Sequence, residues 1–218
     1  MRKLAVLLLG CLPVLGFAAG GAYNEYVERA PVNLQDKVSL QNGAQLYVNY
    51  CMGCHSVEFQ RYGRTARDIG IPADLALQYL NFTTDAIGDL MQNAMTDQDG
   101  AAWFGVAPPD LSNITKWRSA DWLYSYLINF YPDDSRPYGH NNRVFENVAM
   151  PHVMADLEAE LGEEAFRAAM LDLTNFLHYV SEPMRLERER LGVWVLAFLF
   201  ILFIPAYLLK KEYWKDIH

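Results

Sequence analysis

Cys51-Met52-Gly53-Cys54-His55 decides how this chain is read. Two cysteines separated by two residues can each add across one vinyl group of a haem. The histidine directly after the second then lies under the iron as an axial ligand. The chain has only one other cysteine, Cys11, so a four-ligand zinc knuckle has no second half. A thioredoxin-like redox pair would need a strand before it, whereas Leu40–Tyr50 reads as a helix, with Leu46 and Tyr50 on one face. A plain disulfide leaves His55 unexplained. One covalently attached haem c, held by Cys51 and Cys54 with His55 on the iron, is therefore expected.

The ends of the chain set its topology. Arg2 and Lys3, an apolar run from Leu4 to Phe17 interrupted at Pro13, and small residues Ala18–Ala22 form an export signal. A cut after Ala18 is expected, with Ala19 and Ala22 also open. Residues 1–19 are thus assigned to a signal peptide, and Cys11 would leave with it. The apolar stretch before Cys11 is too short for a lipoprotein signal. Leu191–Leu209 holds nineteen residues without a charge, which as a helix would span about 28 Å, enough to cross the hydrocarbon core. Pro205 would bend it near the far interface. Three arginines precede the span and three lysines come after it, so flanking charge does not orient it. The export signal does: residues 20–184 are expected to form a haem domain outside the cytoplasm (periplasmic in a bacterium), 185–209 a linker and transmembrane anchor, and 210–218 a cytoplasmic tail.

The net charge is −8. Residues 20–184 carry ten Lys and Arg against twenty-two Asp and Glu, which argues against nucleic acid as a partner. The run Asp156, Glu158, Glu160, Glu163, Glu164 suits docking of a basic protein, or equally a charged helix start.

Within the haem domain the pattern is mainly α, with no convincing set of strands. Helices are expected at 40–50, 74–81, 84–95, 120–130 and 163–180, and a long polar loop at 131–149. Thr83, Thr84 and Asp85 would cap the third, placing Met91 and Met95 in core packing. The prolines of Ala107-Pro108-Pro109-Asp110-Leu111-Ser112 impose an extended backbone, and Asp110 or Ser112 would cap the segment after it. Gly43 permits a close crossing with the last helix of the domain, where Phe166, Met170, Leu173, Leu177 and Val180 share a face. A glycine-containing helix before the haem motif, crossed by an aromatic-rich final helix, resembles the class I cytochrome c fold.

An electron carrier needs its iron six-coordinate, and methionine opposite histidine raises the potential. Met91, Met95, Met150, Met154, Met170 and Met184, with His140, His152 and His178, are the candidates. Met150 comes first, because it lies after the long loop, precedes the last helix of the domain and is fixed by Pro151; Met154 is the runner-up and His152 a further alternative. Haem propionates need cationic partners. Arg118 is the first candidate, although its spacing suits a solvated surface arginine equally well. Trp122 and Tyr126 would line the pocket or serve as ordinary core.

Cys51-Met52-Gly53-Cys54-His55-Ser56 with Tyr62-Gly63-Arg64, the Ala107–Ser112 segment, Ala149-Met150-Pro151, and Glu182-Pro183 leading into the C-terminal span occur here in order. Together they cover most of residues 40–210 and resemble the cytochrome c1 family, the haem subunits of ubiquinol–cytochrome c reductase. That resemblance implies a class I cytochrome c-like domain with insertions and one C-terminal transmembrane helix. It implies His55 and Met150 as axial ligands, thioethers at Cys51 and Cys54, and Arg118 at a propionate. It further implies electron transfer from a Rieske iron–sulfur protein to a cytochrome c, with no catalysis by the subunit alone, in a dimeric complex containing cytochrome b in a bacterial inner membrane. The compact form resembles proteobacterial members. The alternatives are another anchored c-type cytochrome (an oxidase subunit or shuttle), a haem peroxidase or gas sensor with an open distal site, and a structural anchor.

Overall fold

The computed structural model describes residues 25–215. The expected signal peptide, Cys11 and the last three residues of the tail lie outside them. The domain is mainly helical, as the sequence implies.

Helix α1, Lys37–Leu46, opens at Asp36, whose carboxylate accepts the Ser39 N–H. Its buried face, Leu40, Gly43 and Ala44, packs on α8, Glu163–Ser181. At Gly43 an added Cβ would lie 2.1 Å from the Asp172 carbonyl oxygen and 2.6 Å from Phe176 Cβ, so the close crossing read from the sequence is present and its limit is backbone. Gly43→Ala must push the two helices apart and is expected to destabilise the haem-loaded domain by about 3 kcal/mol. Thermal unfolding monitored by circular dichroism checks this; an unchanged midpoint would mean that the crossing yields freely.

After Leu46 the helix widens into a π-helical segment, Tyr47–Cys51, closed by the Met52 N–H bonding the Tyr47 carbonyl. The extra residue per turn re-aims the chain just before the haem motif. Downstream lie β1 (Val57–Arg61), α2 (Tyr62–Ile69) and α3 (Ala73–Tyr79), the last placed as expected.

Residues 84–95 do not form the expected helix. Asn81 ties a turn by accepting the Thr84 N–H and donating to the Ala86 carbonyl. The Ile87 carbonyl bonds the Gly63 N–H, and Leu90–Met91 (β2) pairs antiparallel with β1. A short apolar run interrupted by Gly88 satisfies either period, and pairing with a distant strand decides it. Met91 is core, as expected; Met95 is not, since it lines a surface cleft.

Helix α4, Asp97–Phe104, begins at Thr96, which accepts the Asp99 N–H, and ends at Gly105 with φ of 82°. Helices α5 (Ile114–Trp117) and α6 (Ala120–Leu127) come next. The expected loop at 131–149 contains a ribbon, β3 (Phe130–Pro132) paired with β4 (His140–Asn142). The two ribbons are small additions to a helical body. Short α7, Ala155–Leu161, precedes α8. The final helix α9, Arg185–Tyr213, runs unbroken through Pro205. Its 29 residues extend about 44 Å, and its apolar stretch is exposed throughout.

Candidate haem-binding site

The motif residues lie on one tight turn. The Cys51 carbonyl accepts the N–H groups of both Cys54 and His55, at 3.0 and 2.8 Å. Cys51 is buried at the end of the π-helical segment and Cys54 is half-buried; both are free thiols. Burial pushes the Cys51 thiol up to about 12, and Cys54 also rises through desolvation. A nucleophilic dithiol needs the opposite shift.

Nδ1 of His55 is 2.7 Å from the Pro109 carbonyl oxygen. A carbonyl only accepts, so Nδ1 carries the proton and the lone pair resides on Nε2. Desolvation lowers the imidazole pKa, which favours this neutral, ligating form. The buried Tyr47 hydroxyl donates to the His55 carbonyl at 2.6 Å. The proline-rich segment is held in turn by Asp110 and Ser112, although not as helix caps. Asp110 accepts the N–H groups of Glu58 and Ser112, and the Ser112 hydroxyl accepts that of Phe59. The segment is therefore pinned to β1, while Asn113 opens α5 without a side-chain bond.

A second cluster is built on α6. Ser119 opens that helix with φ of 83° and ψ of 159°, its hydroxyl accepting the Trp122 N–H; this strained geometry is rare outside glycine. Trp122 and Tyr126, four residues apart, stack with centroids 5.1 Å apart. The Tyr126 hydroxyl donates to Met150 Sδ at 3.4 Å, and burial raises the phenol pKa, so it stays a neutral donor. The Arg118 guanidinium lies over Trp117 at 4.1 Å, Trp122 at 5.1 Å and Phe145 at 5.7 Å. Among the described residues it joins no ion pair. Arg118, Trp122, Tyr126 and Met150 thus form one chain of contacts, and Cys51, Cys54 and His55 share one turn.

The competing ligands are differently placed. Nε2 of His152 is 2.8 Å from Glu158, and its ring stacks on Phe130. Met154 is nearly inaccessible, Met170 is core and Met184 is exposed. Met91 accepts from the Thr65 hydroxyl.

Three contributors went unread in the sequence. The Pro109 carbonyl has no residue-type signal. Asn142, fully buried, donates to the Tyr126 carbonyl and accepts the N–H groups of Val144 and Phe145. Arg136 donates to the carbonyls of Asn147 and Val148, which braces the loop leading to Met150. Both side chains sit in a polar stretch without periodicity, where sequence reads only loop.

A cleft of about 590 Å³ opens beside Cys54, walled by Ser56, Asn93, Met95 and Pro108. It forms because α4 approaches the proline segment at Gly100, where a Cβ would fall 2.6 Å from Pro108 Cδ. Neither His55 nor Met150 lines it. Two free thiols and an imidazole with an available Nε2, gathered on one turn, are a donor set of the kind a c-type haem takes.

Residues 26–217 match the family model described as the Cytochrome C1 family. The chain is 47% identical to a cytochrome c1 of Allochromatium vinosum over the full length of both. It is 40% identical to a protein of Nitrosomonas europaea named ammonia monooxygenase gamma subunit, again over both full lengths. A mitochondrial cytochrome c1 heme protein of Kluyveromyces lactis is 29% identical, over 86% of this chain and 74% of that one.

Proposed function

This chain belongs to the cytochrome c1 family, and on that premise we propose that it is the haem-bearing electron-transfer subunit of a bc1-type quinol–cytochrome c reductase. The observation that carries the reading is His55, whose Nδ1 is committed to the Pro109 carbonyl and whose Nε2 remains as the ligating nitrogen. A c-type haem bound here supplies a one-electron iron centre.

The residues of the chain do the rest. Cys51 and Cys54 tether the group, and the Pro109 carbonyl orients the imidazole and raises its basicity. Met150 Sδ would be the second side chain to hold the iron, with the Tyr126 hydroxyl fixing the sulfur. Arg118, spread over aromatic faces, pairs with a propionate. With His55 and Met150 both holding the group, the subunit would carry electrons without making or breaking substrate bonds. The electron enters from a Rieske iron–sulfur protein and leaves to a cytochrome c. The acidic residues of α7 and the start of α8 are exposed apart from Glu158, which pairs with His152, and attract a basic acceptor. Residues 1–19 direct export and are removed. Helix α9 crosses a bacterial inner membrane once beside cytochrome b in a dimeric complex, with the haem domain in the periplasm.

The relative named as a monooxygenase subunit favours a second reading, the same haem domain delivering electrons to an oxygenase. Purification in mild detergent, with mass spectrometry of the subunits, separates the two. Cytochrome b and a Rieske protein in stoichiometric amount are expected; oxygenase subunits in their place would establish the second reading.

A further inference from the structure

A second cleft, of about 390 Å³, lies where the haem domain meets α9. Lys37, Arg64 and Arg67 line it, so three of the ten cations in residues 20–184 gather at one place in a strongly acidic domain. Asp68 sits among them. It takes Arg64 Nε at 3.1 Å, Arg67 Nε at 3.6 Å and the Tyr179 hydroxyl at 2.9 Å. Lys37 donates instead to the Asp68 main-chain carbonyl, at 2.6 Å, so its charge is not neutralised there. The other carboxylate of the cleft, Glu187, is paired with Arg190 at 3.2 Å. Among the described residues the terminal guanidinium nitrogens of Arg64 and Arg67 have no hydrogen-bond partner. The Arg67 side chain is 74% exposed.

The remaining wall is apolar: Pro183, Met184 and Leu186. Along α9, Leu186 precedes the apolar stretch at Leu191 by about 8 Å, which is the depth of a headgroup layer above the hydrocarbon. A cationic cleft with an apolar floor at that height matches one occupant. We infer that this cleft seats the phosphate of an anionic phospholipid, with Lys37, Arg64 and Arg67 on the phosphate and the glycerol and upper acyl chain along Met184 and Leu186. The inference rests on α9 crossing the membrane. Juxtamembrane cations of this kind attract anionic lipid through charge and neighbouring apolar contact together.

The test uses the full-length, haem-loaded protein in phosphatidylcholine nanodiscs containing a trace of headgroup-photoreactive phosphatidylglycerol, with adducts mapped by peptide mass spectrometry. Adducts are expected on the peptides carrying Arg64–Arg67 and Met184–Glu187. Lys37→Gln with Arg67→Gln should lower their yield roughly tenfold. Arg29→Gln, at an exposed cation outside the cleft, should leave it unchanged, with the haem spectrum reporting intact folding. A photoreactive phosphatidylcholine should not label these peptides. Unchanged labelling in the double variant would overturn the inference. So would complete competition by millimolar inorganic phosphate, which would mark a general phosphate site, or loss of the adducts in the purified multisubunit complex, which would identify a protein as the occupant. Retention of the chain in membranes after alkaline extraction is read separately. Its failure would remove the anchor itself, whereas its success without adducts would remove only the lipid.

Discussion

Met150→Leu is expected to leave the haem attached and to lower its reduction potential by roughly 0.2 V, a fraction of the range over which axial ligands tune haem. Leucine fills nearly the same volume, so the packing around Tyr126 should hold, and thioethers at Cys51 and Cys54 would not depend on it. The change removes the soft sulfur that favours ferrous iron, together with the acceptor of the Tyr126 hydroxyl. Electron delivery to a cytochrome c should slow accordingly, and the near-infrared band of sulfur-ligated ferric haem should vanish. Redox titration with optical detection measures both. An unchanged potential would transfer the ligand role to Met154 or His152. The second requires His152 to release Glu158 and leave its stack on Phe130; the first requires a side chain that is 2% exposed to turn outward.

The double variant Cys51→Ala with Cys54→Ala should abolish covalent attachment, lowering the intact mass of the mature chain by one macrocycle. The consequence extends to the fold. A ligand that binds only the folded state stabilises it in proportion to how tightly it is held, and a covalent tether is the limiting case. Without it, His55 and Met150 alone must retain the haem, and haem should wash out during purification. Cys54→Ala alone should retain haem through Cys51, which is buried at the end of the π-helical segment. Intact-mass spectrometry together with a denaturing gel stained for haem reads each outcome. A covalently bound macrocycle in the double variant would exclude the motif as the attachment site.

The helical skeleton was legible where one segment carried its own signal. The Gly43 crossing, α8 and the long apolar helix are each encoded by spacing within a single segment. Residues 84–95 misled because a short apolar run obeys two periods at once, and the deciding partner, β1, lies some thirty residues upstream. The π-helical segment gave no sign in residue type. Asp110 and Ser112 were correctly read as hydrogen-bond acceptors but assigned to the wrong donors, since an N-cap pattern does not exclude a strand further back in the chain. Spacing suits Arg118 equally to a propionate and to solvent; its place over Trp117, Trp122 and Phe145 depends on how α5 and α6 turn at Ser119, which one-dimensional spacing does not contain.

The Cys-x-x-Cys-His motif and the long apolar segment are legible in the residues alone. A Cys-x-x-Cys-His run encloses its geometry within one turn, and nineteen uncharged residues carry their hydropathy wherever they are placed. Only the tertiary structure decided which carbonyl holds His55, 54 residues away along the chain, and which phenol meets Met150. It also decided that Lys37, Arg64 and Arg67 share one cleft at the foot of α9. Contacts inside a turn are fixed by covalent reach, whereas contacts between distant segments exist only once the helices have packed.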